Sequence, residues 1–181
     1  MSLDFSTSRW DDTVENYTNW WNGTLKRPVI YLQTGGRDPG RPQPSLPHHF
    51  FISFYDLSVS PEEIIDTCDY ALSTIKYHGD AFPKWSSYFG PGVAAAFLGA
   101  DLENSIEAGT TWFTPKVLQD ISDINFQYDP DNIWLKRVKS LYAAAKDRWG
   151  DMVNLDMTDL GGNLDILSSF RPSENLLYDL Y

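Results

Sequence analysis

The fold is decided by the stretch Ser60-Pro61-Glu62-Glu63-Ile64-Ile65-Asp66-Thr67-Cys68-Asp69-Tyr70-Ala71-Leu72, which combines a helix start with an apolar helical face. Ser60 supplies an N-cap, Pro61 fits the first helical position, and Glu63 stands where a capping box needs an acid. The apolar side chains return on one face, at Ile64, Cys68, Ala71/Leu72 and Ile75. We therefore predict a helix that begins at Pro61 and ends at Gly79.

Short apolar runs rich in β-forming residues lie on both sides of this helix. Residues 28–33, 85–89 and 152–156 each have the length and the flanking turn residues of a buried strand. Further helices are predicted over residues 8–22, 93–98 and 130–149 and from Ser173 onward, and residues 110–128 resemble an excursion of short strands and turns. Strands that alternate with helices favour βαβ units, so the sequence predicts an α/β fold with a parallel sheet.

Two of these helices have a clear apolar face. In the first it consists of Trp10, Val14, Tyr17 and Trp21, and Gly23 ends the helix. In the long helix after Asp129, which is a candidate N-cap, it consists of Trp134, Val138, Leu141, Ala145 and Trp149. We expect both faces to be buried.

Composition and charge exclude several classes of protein. The 14 Lys and Arg stand against 25 Asp and Glu, a net charge of −11, which is unsuited to binding a nucleic-acid backbone. No apolar run approaches the roughly 20 residues that span a bilayer, and the N-terminus lacks a secretory signal pattern. A single cysteine, Cys68, excludes an internal disulfide framework. These features predict a cytoplasmic protein that contacts neither nucleic acid nor membrane.

Aromatic residues are abundant, at 15% of the chain, including seven Trp. Aromatics at this density can line a pocket for a flat or sugar-like ligand. A core that is simply rich in aromatic side chains is the alternative interpretation.

A Gly-rich loop after the first predicted strand carries two candidate anion-binding residues, Arg37 and Arg41. Ligands of parallel α/β folds bind at the carboxyl ends of strands, and guanidinium groups present a fork of donors to carboxylate or phosphate. The glycine spacing matches neither a Walker loop nor a dinucleotide fingerprint. A solvated loop with two surface arginines remains the alternative.

Two carboxylates at the end of the third predicted strand, Asp156 and Asp159, are candidates for acid–base catalysis, a glycosidase mechanism included. Asp159 could equally cap a turn. The histidines, His48, His49 and His78, lack the spacing of a metal site, so no metal ligand is predicted.

The pattern as a whole resembles the uroporphyrinogen decarboxylase superfamily. The resemblance rests on the Gly-Arg loop, on Leu155–Glu174 and above all on Gly79–Ala100, Gly-Asp-Ala-Phe-Pro-Lys-Trp-Ser-Ser-Tyr-Phe-Gly-Pro-Gly-Val-Ala-Ala-Ala-Phe-Leu-Gly-Ala. Members of this superfamily are (β/α)8 TIM barrels about twice as long as this chain. The resemblance therefore implies the first half of such a barrel, with residues 1–24 forming a helix outside it.

The superfamily implies two chemistries: decarboxylation of tetrapyrrole acetate groups without a cofactor, and methyl transfer with a corrinoid protein and zinc. Its zinc ligands belong to the half of the barrel beyond this chain, so none is expected here. In the family's Arg-Gln-Ala-Gly-Arg loop, the first Arg corresponds to Gln33 and the second to Arg37. The family's substrate-binding Asp and Tyr correspond to Tyr88 and Phe170.

The resemblance leads to three expectations about function. The first is a divergent decarboxylase-like enzyme acting on a tetrapyrrole-type carboxylate, in which Arg37 and Arg41 hold the anion and Asp156 and Asp159 assist. Its cavity would be lined by Trp85, Tyr88, Phe89 and Phe170. The second is a zinc-dependent methyltransferase that works with a corrinoid protein. The third is a non-catalytic protein that binds a tetrapyrrole or corrinoid ligand.

The end of the sequence carries an apolar face, formed by Leu176, Leu177, Leu180 and Tyr181, without a helix stop signal. We therefore expect residues 1–181 to be one domain that forms the N-terminal part of a larger barrel. A chain that stops at Tyr181 would instead need a partner, such as a second copy in a homodimer, to cover its open sheet.

Overall fold

The computed structural model describes residues 3–181 and divides them into two compact units. Unit 1 contains residues 3–48, 60–86 and 141–156, and unit 2 contains residues 49–59, 87–140 and 157–181. The helices are α1 Thr7–Trp21, α2 Pro61–Ser73, α3 Ala94–Phe97, α4 Ile133–Trp149, α5 Asn163–Ser168 and α6 Ser173–Tyr178. The strands are β1 Tyr31–Thr34, β2 Lys76–Gly79, β3 Lys84–Trp85, β4 Asp101–Ser105, β5 Thr110–Thr114 and β6 Asn154–Leu155.

Within residues 3–181 the strands form three two-stranded sheets. β3 and β6 are parallel, with Lys84 opposite Asn154 and Trp85 opposite Leu155. β1 and β2 are antiparallel, and so are β4 and β5. Residues 3–181 therefore form an α/β fold with one parallel strand pair.

The core of unit 1 is built by α2, the end of α4 and the β3–β6 pair. Trp85 of β3 packs its ring against Tyr142 and Trp149 of α4, with ring centroids 5.6 and 5.5 Å apart. The apolar face of α2 is buried in the same unit, at Ile64, Ile65 and Cys68. A helix packed on a parallel strand pair is the expected arrangement of an α/β fold.

Unit 2 is organised around the β4–β5 hairpin and α3. A short 3₁₀ turn, Ile52–Phe54, packs beside the hairpin, where the Asn104 side chain donates to the Ser53 carbonyl at 2.8 Å. The buried side chains of this unit include Ile52, Phe89, Val93 and Val138. None of the helices found among residues 3–181 is long and apolar enough to cross a membrane.

Several predicted elements are confirmed. The capping box of α2 is present, since Ser60 accepts from the Glu63 backbone while the Glu63 carboxylate accepts from the Ser60 backbone. α1 lies within one residue of its predicted bounds, and α6 begins at the predicted Ser173. The predicted face of α4 is buried from Val138 to Trp149.

The parallel sheet of three predicted strands is wrong. The predicted strand at residues 28–33 pairs antiparallel with Lys76–Gly79. We had predicted this segment as the end of the helix that begins at Pro61. α2 ends at Ser73, which frees this segment to extend and pair. Because β1 pairs with β2 alone among residues 3–181, all four of its residues are exposed rather than buried.

Smaller differences concern faces and boundaries. On α1 the predicted face is wrong at Val14 and Trp21, which are 60% and 82% exposed, because the buried side is centred on Thr13. α4 begins at Ile133 with Asn132 as its cap, since the Asn132 side chain accepts from the backbone of residues 134 and 135. Its predicted start at residue 130 is therefore wrong. The helix α5 was missed.

Candidate functional site

Arg37, predicted to bind an anion, is engaged at the end of α2. Its guanidinium donates to the Ser73 carbonyl at 2.7 Å, and its backbone N–H donates to the Thr74 carbonyl at 2.9 Å. Its Nε also lies 3.8 Å from the Asp4 carboxylate. A cation is stabilised at a helix C-terminus by the carbonyls exposed there. Arg37 therefore anchors the Gly-rich loop to α2 in unit 1.

Arg41 belongs to an ion-pair network on the same helix. It donates to Asp66 at 3.1 Å and to Asp69 at 3.2 Å, and Arg148 donates to the same two carboxylates at 2.9 and 2.8 Å. The Asp69 carboxylate is buried and also accepts from the indole of Trp149 at 2.8 Å. An external anion would have to compete with these carboxylates for Arg41.

Asp156, predicted as catalytic, follows β6 in unit 1. Its backbone N–H donates to the Trp85 carbonyl at 2.8 Å, which extends the parallel pairing by one residue. Its half-buried carboxylate accepts from the Asn154 amide and lies 3.8 Å from the Lys84 ammonium. Trp85 itself is buried in the core of that unit.

Asp159, the second predicted catalytic carboxylate, lies in unit 2. Its exposed carboxylate accepts from the Gly161 backbone at 2.9 Å and so closes a local turn. Its carbonyl accepts from the Val93 backbone at 3.2 Å. These contacts give Asp159 a role in shaping the loop, which leaves its carboxylate open to solvent.

Two segments of unit 2, residues 87–93 and 157–162, lie side by side, and we call them the loop pair. The Thr158 hydroxyl donates to the Ser87 carbonyl at 2.7 Å. A Cβ placed on Gly161 would lie only 2.5 Å from the Gly92 Cα, so the two backbones approach each other as closely as glycine allows. The buried Ser87 hydroxyl has no hydrogen-bond partner among residues 3–181.

Tyr88, on this loop pair, joins two phenylalanines that the sequence analysis did not select. Its ring stacks on Phe51 at 5.2 Å with 23° between the planes, and Phe50 meets both rings edge-on at 5.2 and 5.1 Å. The Ile52 backbone donates to the Tyr88 carbonyl at 2.7 Å and fixes the two segments together. We call Phe50, Phe51 and Tyr88 the aromatic platform. The side chain of Phe50 is 72% exposed.

The remaining predicted aromatics of unit 2 lie elsewhere. Phe89 is fully buried with its ring 6.0 Å from Trp134, so it belongs to the core. Phe170 is half-buried, contacts Phe126 at 4.8 Å between ring centroids, and lines a cavity of about 240 Å³. Of the predicted aromatic residues, Tyr88 and Phe170 therefore have surfaces that a ligand can reach.

Two features bear on metal and thiol chemistry in residues 3–181. Residues 3–181 contain no group of three His, Cys, Asp or Glu side chains arranged to hold a metal ion. Burial raises the pKa of the Cys68 thiol to about 11, which keeps it protonated at neutral pH. The zinc or corrinoid expected in a longer protein stays a prediction.

No family model, no curated protein and no solved structure matches this chain. A functional assignment therefore depends on the residues themselves.

Proposed function

We propose that this chain binds a flat conjugated ligand of the tetrapyrrole or corrinoid class on the aromatic platform, as a divergent relative of the uroporphyrinogen decarboxylase superfamily. The observation that carries the proposal is the stacked Phe51–Tyr88 pair with the exposed ring of Phe50 beside it. In the sequence, Tyr88 follows the parallel strand β3 by three residues, and residues that follow parallel strands often bind ligands in α/β folds.

The exposure of Phe50 supports a ligand role for the platform. An exposed phenylalanine ring gives up the roughly 1.5–3 kcal/mol that burial of such a side chain contributes. A flat ligand lying over Phe50 would recover part of this free energy and add ring–ring attraction. The backbone hydrogen bond between Ile52 and Tyr88 holds the rings in place, so ligand binding would cost little conformational entropy.

The contacts of the two arginines favour binding over decarboxylation. A decarboxylase of this superfamily would use Arg37 and Arg41 to hold substrate carboxylates. In this chain Arg37 donates to the Ser73 carbonyl, and Arg41 is paired with Asp66 and the buried Asp69. Either arginine would have to leave these partners to hold a carboxylate, so we place non-catalytic binding ahead of the decarboxylase alternative.

Binding is tested by titrating the purified protein with coproporphyrin III and, separately, with hydroxocobalamin, while the visible absorption bands of each ligand are followed. We expect a saturable band shift with at least one of the two. Phe50→Ala should weaken binding about 2- to 10-fold, which corresponds to the roughly 0.5–1.5 kcal/mol of one aromatic pair. Tyr128→Ala is the matched control, because Tyr128 is 74% exposed in the same unit but lies outside the platform.

The titration can contradict the proposal in two ways. Unchanged spectra with both ligands would exclude this ligand class, and equal losses in Phe50→Ala and Tyr128→Ala would exclude the platform as the binding surface. If the protein also released carbon dioxide from uroporphyrinogen, the decarboxylase alternative would replace simple binding. That outcome would require the Arg37 contacts to open when substrate binds.

A further inference from the structure

The cavity lined by Phe170 lies apart from the aromatic platform residues and has its own chemistry. It measures about 240 Å³ and lies within unit 2. Its apolar lining comes from three segments of the chain: Leu98 after α3, Val117, Ile124 and Phe126 after β5, and Phe170 after α5. The rings of Phe126 and Phe170 lie 4.8 Å apart at 60°, so together they form an angled aromatic wall.

The lining of this cavity holds one charged side chain, and that side chain is a cation. Lys116 lines the cavity together with Gln119 and Asn125. No acidic residue lines it, although acidic residues outnumber basic ones by 25 to 14 in the whole chain. The Lys116 ammonium lies 3.9 Å from Asp101, with both side chains more than half exposed. Such a pair is weak, so Lys116 can turn to a bound anion at little cost.

Arg171 connects two of the segments that line the cavity. Its guanidinium donates to the Gln119 carbonyl at 2.9 Å and makes a two-pronged contact with the Asp179 carboxylate at 2.7 Å on each prong. This links the segment after β5 to the segment that carries Phe170. Asp179 neutralises Arg171, which does not itself line the cavity, so Lys116 is the charged residue of the lining. These contacts between separate segments of the chain therefore fix the walls of the cavity.

The volume limits what the cavity can take. Pockets for drug-sized molecules measure roughly 300–1,000 Å³, so a cavity of about 240 Å³ suits a smaller ligand. The angled pair of rings suits a compact apolar body, and a single ammonium suits a single carboxylate. Gln119 and Asn125, which also line the cavity, carry amide groups of the kind that donate hydrogen bonds to a carboxylate.

We propose that this cavity is a binding site for a small monocarboxylate with a compact apolar body, such as an aromatic or branched aliphatic acid. The carboxylate meets Lys116, and the apolar body lies against Phe126 and Phe170. This site is independent of the tetrapyrrole or corrinoid ligand proposed for the aromatic platform, since none of its residues belongs to that platform.

The test compares benzoate with benzamide, which has nearly the same shape and no charge. Binding is measured with the purified full chain by ligand-observed NMR titration. We expect benzoate to bind about five-fold more tightly than benzamide, the upper range for one exposed ion pair. Lys116→Gln should abolish this preference, because it removes the charge and keeps the length of the side chain.

Lys136→Gln is the matched control. Lys136 is an exposed lysine of unit 2 that is paired with Asp131 at 2.6 Å and does not line the cavity. This variant should keep the wild-type preference for benzoate. Phe126→Ala should weaken both ligands by a similar factor, because it removes part of the apolar wall that they share.

Three outcomes would overturn the proposal. They are equal affinities of the wild-type protein for benzoate and benzamide, a preference that survives in Lys116→Gln, and no saturable binding of either ligand at millimolar concentrations. None of them bears on the porphyrin and cobalamin titrations, so failure here and failure of the proposed function are distinguishable.

Discussion

At the scale of single residues, the most informative side chain is Asp69, a buried carboxylate that stays charged. Burial by itself raises the pKa of Asp69, but hydrogen bonds from Arg148 and Trp149 and the nearby charges of Arg148 and Arg41 lower it overall. The carboxylate is 1% exposed, so its partners replace most of the water that it loses on folding. This explains why Arg41, which the sequence suggests as a ligand-binding residue, pairs instead with a buried carboxylate of unit 1.

The first mutational prediction compares the two acids of this network. Asp69→Asn should lower the free energy of unfolding by about 2 kcal/mol, because it removes the charge that compensates Arg41 and Arg148 at a buried position. Asp66→Asn is the control, since Asp66 pairs with the same arginines but is 38% exposed; it should cost less than about 1 kcal/mol. Urea unfolding measures both, and equal losses would show that burial of Asp69 does not matter.

At the scale of elements, helix starts that depend on neighbouring residues could be predicted from the sequence. Pairing between strands that lie far apart in the chain could not. The start of α2 depends on Ser60, Pro61 and Glu63, which are neighbours in the chain. The strand character of residues 76–79 depends on β1, which lies more than forty residues earlier, and no local pattern reveals that pairing. α5 was missed because it is only six residues long and its cap is Gly162, which has no side chain to mark a helix start.

The candidate site shows the same limit. Tyr88 was selected from the sequence, but its partners Phe50 and Phe51, which lie just after a Pro-rich stretch, were not. Two adjacent phenylalanines were the signal that the sequence offered there. Arg37 and Arg41 were also selected, but their partners Ser73, Asp66 and Asp69 all come from α2, and that pairing becomes visible only once the chain is folded.

The loop pair provides the prediction at this scale. Gly161 has φ +82° and approaches the Gly92 backbone, whereas Gly109, in the turn between β4 and β5, has φ +62° and open space around it. Both Gly→Ala variants should lose the roughly 1–2 kcal/mol of a left-handed alanine. Gly161→Ala should lose clearly more, since its Cβ would meet backbone that must move.

Thermal and urea unfolding of the two variants decide this point. A Gly161→Ala protein as stable as Gly109→Ala would mean that residues 87–93 and 157–162 are not in close contact. If the contact is as described, Gly161→Ala should also weaken ligand binding at the aromatic platform, because Tyr88 lies on the displaced segment. Gly109→Ala should leave that binding unchanged.

At the scale of the whole molecule, the charge balance has two opposing effects on stability. A net charge of −11 implies mutual repulsion in the compact state, which lessens as carboxylates take up protons on acidification. The opposing effect comes from Asp80, which is nearly fully buried. Its carboxylate accepts two hydrogen bonds from the Arg27 guanidinium, at 2.6 and 2.7 Å, and so forms a bidentate ion pair. The hydrogen bond from Arg27 is the largest cause that lowers the pKa of Asp80, to about 2.

The sign of the Asp80 contribution follows from this shift. Because the folded-state pKa of about 2 lies below the ordinary value of 3.8, Asp80 stabilises the fold fully above pH about 4, and this contribution is lost as the pH falls toward 2. Its size is roughly 1–2 kcal/mol, since each pKa unit corresponds to about 1.4 kcal/mol and the half-exposed Arg27 is partly screened by water.

Asp80→Asn should therefore be less stable than the wild type at neutral pH, and the gap should close near pH 2. Asp12→Asn, which removes one exposed negative charge from α1, is the control for the change in net charge. A gap between Asp80→Asn and the wild type that stays constant from neutral pH to pH 2 would show that the ion pair with Arg27 does not control the acid stability of this protein, and relief of the overall negative charge would then dominate.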